Sequence, residues 1–166
     1  MKKFIKKIQN ICRENKKVAM FIDMDGTITV YEVYSEGNVK EKMEEEYQKA
    51  EPIDYIIEIL KEINDIPNID LYILTLAKSL KILKEKQEWL RKYVPFIKEE
   101  NWIIINKENK EYSKENRDIV KAEKMKEKKD KYDKVILLDD DHKILKETQK
   151  FLKEDVNVFH ISSILI

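Results

Sequence analysis

Five short apolar runs, separated by stretches with helical spacing, constrain this chain more than any other feature of it. The first, Val18-Ala19-Met20-Phe21-Ile22, stops abruptly at Asp23-Met24-Asp25-Gly26. The others are Leu71 to Leu74, Trp102 to Ile105, Val135 to Leu138 and Val156 to His160. A short apolar run without alternation, closed by turn formers, predicts a strand buried on both faces. Between the runs, Ile56, Ile57, Leu60 and Ile63 make one helical stripe, introduced by Pro52 and ended before Pro67. Leu80, Leu83, Leu90 and Val94 make another, stopped near Pro95. Strand runs alternating with helices predict repeated βαβ units. The expected fold is therefore α/β, a doubly wound, mainly parallel five-stranded sheet with helices on both faces. Residues 2–16 precede it as an amphipathic helix, with Phe4, Ile5, Ile8, Ile11 and Cys12 on one stripe.

Two segments break the simple alternation. Residues 27–50 carry an alternating stretch from Thr29 to Tyr34, then Ser35-Glu36-Gly37, then a charged helix from Val39 to Ala50. They predict a small helical cap or flap after the first strand, spanning about residues 28–66 within one domain of residues 1–166. Residues 107–133 are rich in Lys and Glu and predict a loop followed by a helix from about Lys121. Charge sets the partner class. With 33 basic and 33 acidic residues the chain has no basic excess, so neither a nucleic-acid polymer nor a membrane surface is an expected partner. No apolar run approaches the ~20 residues of a membrane span. The single cysteine, Cys12, excludes a disulfide framework and a Cys-rich zinc site, and reads as an inert core residue. Charges interrupt the apolar positions of Met1 to Lys7, unlike a signal peptide, so a reducing cytoplasm is the default compartment. Trp89 and Trp102 read as packing residues.

In an open parallel sheet, ligands bind beyond the carboxyl ends of the strands. Asp23, Asp25, Gly26 and Thr27 follow the first run, Thr75 the second, and Asp139, Asp140 and Asp141 the fourth. If the first and fourth strands are neighbours, these carboxylates converge on one point. Such a cluster calls for a hard cation with oxygen ligands, and Mg2+ fits best, since it uses one or two carboxylates plus substrate phosphate. Gly26 lets the backbone leave the strand sharply. Two nearby carboxylates in different environments take different roles, with Asp23 as nucleophile and Asp25 as general acid–base. Thr75 alternatively caps a helix beginning near Ala77, and Asp139 to Asp141 alternatively cap a helix from Lys143 to Phe151, with Asp141 the best suited of them to that role alone. His142 reads as a surface residue and His160 as structural.

Asp23-Met24-Asp25-Gly26-Thr27, behind its apolar strand, resembles the first signature of the haloacid dehalogenase-like (HAD) superfamily of phosphohydrolases. Leu71-Tyr72-Ile73-Leu74-Thr75 resembles the second motif, and Val135 to Asp140 the fourth in its paired-Asp form. The resemblance spans nearly the whole chain. It implies a phosphatase in which Asp23 attacks phosphorus and the aspartyl-phosphate is then hydrolysed, with Asp25 protonating the leaving group and activating the water. It also implies a Mg2+ site made by Asp23, the carbonyl of Asp25, and Asp139, with Asp140 close by. Thr75, Lys121, Gly26 and Thr27 are the expected phosphate contacts. Lys107 and Lys124 are alternatives to Lys121 for the third-motif lysine. The small cap and the Leu-Asp-Asp ending look similar to the 5'(3')-deoxyribonucleotidase-like branch, which implies a nucleoside monophosphate as the small-molecule substrate. Tyr31, Tyr34 and Tyr47 either stack on its base or pack the flap on the core. Two rivals remain, a phosphoryl-accepting receiver domain and a catalytically silent HAD-like binding protein. The third run ends in Asn106-Lys107, without the carboxylate that a receiver places there.

Overall fold

A computed structural model describes residues 2–30, 47 and 49–166. The amphipathic N-terminal helix, α1 (Lys2–Glu14), leads into β1 (Val18–Ile22). There follow α2 (Asp54–Asn64), β2 (Ile69–Ala77), α3 (Leu80–Tyr93), β3 (Trp102–Asn106), α4 (Val120–Lys128), β4 (Lys134–Asp139), α5 (His142–Leu152) and β5 (Val156–His160). The five strands form one parallel sheet in the order β3-β2-β1-β4-β5.

The unbroken apolar runs have a direct cause, because the sheet is covered on both faces. Val18, Met20 and Ile22 of β1 face a core shared with α1, α2 and α3, through residues such as Ile8, Leu60 and Trp89. Ala19 and Phe21 face a second core with Val120 and Met125 of α4 and Ile144, Leu145 and Leu152 of α5. All five residues of β1 are buried. Each large side chain removed from water in this way contributes roughly 1.5–3 kcal/mol.

Two local features differ from the sequence expectation. Strand β2 continues past Leu74 to Ala77, because Thr75, Leu76 and Ala77 pair with Ile104, Ile105 and Asn106 of β3. The following helix accordingly starts at Leu80, and Ser79 is its cap, accepting from the Ile82 amide at 3.3 Å. Thr75 is therefore a strand residue and not a helix cap. The stripe expected for α3 is in the core at Leu90 and Val94 and packs against it at Leu83, but it fails at its first position and omits the charged members. Ile82, Glu85, Lys86, Trp89 and Leu90 are its buried positions, while Leu80 is 52% exposed.

After β1 the chain makes a tight turn. The amides of Thr27, Ile28 and Thr29 all donate to the Met24 carbonyl, and the Gly26 amide donates to Thr29. A neck closes beyond it. The Val30 amide donates to the Glu51 carbonyl at 2.9 Å and the Ile53 amide to the Ile28 carbonyl at 2.8 Å. Tyr31, Tyr34 and most of the charged stretch expected to form a flap lie outside the described residues. The C-terminal part of the expected 28–66 insertion is α2, a crossover helix with Ile56, Ile57, Ile59, Leu60 and Ile63 buried. Among the described residues, no helix is long and apolar enough to cross a membrane.

Candidate active site

The strand order leaves a crevice where the connections diverge to either side, beyond the carboxyl ends of β1 and β4. Those two strands are paired, with Ile22 opposite Leu138, and the Asp23 amide donates to the Leu138 carbonyl at 3.0 Å. Asp23 and Asp139 therefore emerge side by side. A cavity of about 480 Å³ opens above them, lined also by Asp25, Thr75, Lys86, Lys107, Arg117, Lys121, Asp140 and His142.

Lys121, in the first turn of α4, holds the floor together. Its Nζ donates to Asp23 Oδ1 and to Asp139 Oδ2, each at 2.7 Å, and all three side chains are buried. Burial works against its charge, but Asp23 and Asp139 outweigh that and its pKa is raised. Of the three candidate lysines, Lys121 is the one between the carboxylates. Lys107 stands at the cavity wall, its Nζ 5.4 Å from the Tyr112 ring centroid. Burial and then the nearby Arg117, Lys78 and Lys86 lower its pKa. Lys124 pairs with Glu111 at 2.7 Å and Glu127 at 3.6 Å and does not line the cavity.

Asp23, Asp139 and Asp140 each offer an oxygen, all within 4.8 Å of one another. One ammonium does not balance three carboxylates. The imbalance shows at Asp140, whose carboxyl is pushed up to about 7 by burial and then by the charges of Asp23 and Asp139. Asp139 is raised too, by burial first and by Asp23, with Lys121 opposing. An all-oxygen donor set with surplus negative charge fits a hard divalent cation such as Mg2+. Asp141 stands apart from this set. Its Oδ1 caps α5 by accepting from the Lys143 and Ile144 amides, and its Oδ2 accepts from Arg117 at 2.9 Å. Burial opposes its ionisation, but Arg117 and those amides outweigh it and its pKa is lowered.

For Gly26 and Thr27, expected to contact phosphate, the structure shows close approaches to the carboxylates. Their amides are used inside the turn, and neither residue lines the cavity. Thr27 is fully buried with Oγ1 3.5 Å from Asp23 Oδ2. Gly26 has φ +73°, and a Cβ there would come within 2.3 Å of Asp140 Oδ2. Thr75, also expected to contact phosphate, is buried at the cavity wall.

Lys86, and a place for His142 in the cavity lining, were not anticipated from the sequence. Lys86 is buried at the cavity wall and donates to Asp25 Oδ2 at 3.0 Å. Tyr47 is 3% exposed, and its ring centroid lies 4.8 Å from the Lys86 Nζ, so the ring packs on a cation of the core. His142 lines the cavity and stacks on His160 with centroids 4.3 Å apart. His160 Nε2 lies 3.1 Å from the Asp140 carbonyl.

No family model matches the chain. No curated protein sequence matches it either. Among solved structures, the chain is similar to the HAD domain of effector protein Lem4 from Legionella pneumophila, with a TM-score of 0.53 and 20% identity over 87% of each chain. That likeness shows a HAD-like fold.

Proposed function

We propose that this chain is a Mg2+-dependent phosphatase that hydrolyses a small phosphomonoester through an aspartyl-phosphate on Asp23. The observation that carries the reading is the buried meeting of Asp23 and Asp139 around Lys121, at adjoining strand tips beneath an open cavity. Strand order favours it over the receiver reading. A receiver-type sheet, ordered 2-1-3-4-5, puts its third strand in the middle. Here β1 is the middle strand, and Asp23 is at its tip.

The chain's own groups supply the steps. An Asp23 carboxylate oxygen bonds to phosphorus as the bond to the leaving oxygen breaks, and Asp25 gives that oxygen a proton. A water then attacks the same phosphorus, Asp25 takes its proton, and the Asp23 carboxylate departs. Lys121 has three N–H donors, and two are used on Asp23 and Asp139, which leaves one for a phosphoryl oxygen. Thr75 offers a hydroxyl donor to another. Asp23, Asp139 and the backbone carbonyl of Asp25 would hold Mg2+, with Asp140 beside them. The ion would neutralise charge on the transferring group.

A nucleoside monophosphate is one candidate substrate. Its support is the motif resemblance, since Tyr47 packs on Lys86 and Tyr31 and Tyr34 lie outside the described residues. The test is turnover of an aryl phosphate with Mg2+, then with chelator, followed by a panel of nucleoside monophosphates against sugar phosphates. Activity that chelator abolishes and Mg2+ restores is expected. Undiminished turnover in chelator removes the metal from the reading.

A further inference from the structure

Lys86 is a buried cation to which the steps above give no task. Its Nζ donates to Asp25 Oδ2 at 3.0 Å, to Thr75 Oγ1 at 2.9 Å and to the Leu76 carbonyl at 2.6 Å. An ammonium has three N–H donors and no acceptor, so these bonds commit all of them. Lys86 has none left for a phosphoryl oxygen, which separates it from Lys121. Two consequences follow for the residues it holds. Thr75 Oγ1 can only accept from Lys86, so its own hydroxyl hydrogen is directed elsewhere. Among the described residues nothing accepts that hydrogen, and Thr75 lines the cavity. Asp25 is the second. Its side chain is 43% exposed, against 1% for that of Lys86. A carboxylate so open to water gains a fixed orientation from a partner anchored in the core. The Tyr47 ring lies against the same ammonium.

We propose that Lys86 is the positioning residue of the site. It turns the Thr75 hydroxyl hydrogen toward the phosphoryl group and holds the Asp25 carboxyl where it exchanges a proton with the leaving oxygen. This role rests on the hydrolase reading, and its test separates the two.

The readout is the dependence of kcat/KM on the leaving group. para-Nitrophenolate departs with little help, whereas phenolate needs a proton. Lys86→Met keeps the stem and removes the donors. Its kcat/KM for phenyl phosphate should fall about 10-fold further than for para-nitrophenyl phosphate, a fraction of what general acid catalysis supplies. Asp25→Asn should open the same gap, and Lys86→Met added to Asp25→Asn should widen it no further. An equal fall for both substrates, or a gap that adds fully in the double variant, overturns the positioning role. If the methionine variant does not fold, Lys86→Gln, which loses the charge and one of the three donors, carries the same comparison. A wild-type protein that turns over neither ester overturns the hydrolase reading, and the role of Lys86 falls with it.

Discussion

Gly26 shows how tightly the acidic residues are set. Its φ of +73° already disfavours any side chain, and the 2.3 Å approach of a Cβ to Asp140 Oδ2 leaves no room for one. Gly26→Ala should destabilise the protein by about 1–3 kcal/mol and weaken Mg2+ binding by displacing Asp140. Denaturant titration and a metal-binding isotherm check the two effects, and an alanine variant with wild-type affinity would contradict the second. Asp23 and Lys121 separate chemistry from stability. Asp23→Asn keeps the shape of the side chain and should lower turnover by about 1000-fold or more with little loss of fold. Unchanged turnover of an aryl phosphate refutes the nucleophile assignment. Lys121→Met leaves two buried carboxylates facing each other and should cost about 3–5 kcal/mol, as breaking a buried ion pair does. Added Mg2+ should restore part of that stability.

At the scale of elements, what could be read from the sequence divides along burial. The strands were legible because both faces of the sheet are covered, which forces unbroken apolar runs with polar tips. Helix α3 was legible as a helix, and Leu90 and Val94 marked its buried side, but its first turn was misassigned at Leu80 and its charged members were missed. The buried stripe of α3 contains Glu85 and Lys86, and a search for apolar periodicity passes over charges and settles on Leu80 instead. The available signal was a lysine four residues beyond Ile82 and three before Trp89, inside a helix that follows a strand ending near Thr75. The extension of β2 was hidden because Thr75 and Ala77 do not look like sheet core, and pairing with β3 decided the matter. The approach of Asp140 to Gly26 joins residues far apart in sequence, and no local pattern announces it. The N-terminus of α5 was legible, because an Asp before a helical stripe is a common cap. Asp141→Ala should cost about 1 kcal/mol of stability through the lost cap and leave Arg117, at the cavity wall, paired with Asp118 alone. Thermal unfolding reads the first effect. The second should appear as a changed KM for a phosphomonoester at nearly unchanged kcat.

For the whole molecule, the charge imbalance at the crevice couples stability to both pH and metal. Asp140 in the fold holds its proton up to about 7, far above the ordinary range for Asp, because burial and then Asp23 and Asp139 disfavour its ionised form. In the unfolded chain it ionises near pH ~4. Between those limits the folded state binds more protons than the unfolded state. Its contribution to stability is therefore full below the unfolded pKa and is lost as pH rises through the folded one. Asp139 is raised as well and acts in the same direction. Two further shifted groups in contact with the acidic floor act outside that window. Asp141 is lowered, so its contribution is lost only at acid pH, and Lys121 is raised, so its contribution is lost only at strongly basic pH. A divalent cation reverses the logic by favouring the ionised carboxylates. The metal-free protein should thus melt at a lower temperature at about pH 8 than at about pH 5.5, and Mg2+ should raise the melting temperature far more at the higher pH. Asp140→Asn, which cannot ionise, should flatten the first dependence and weaken the second. A melting temperature that Mg2+ raises equally at both pH values would show that the ion, wherever it binds, is not held by these carboxylates.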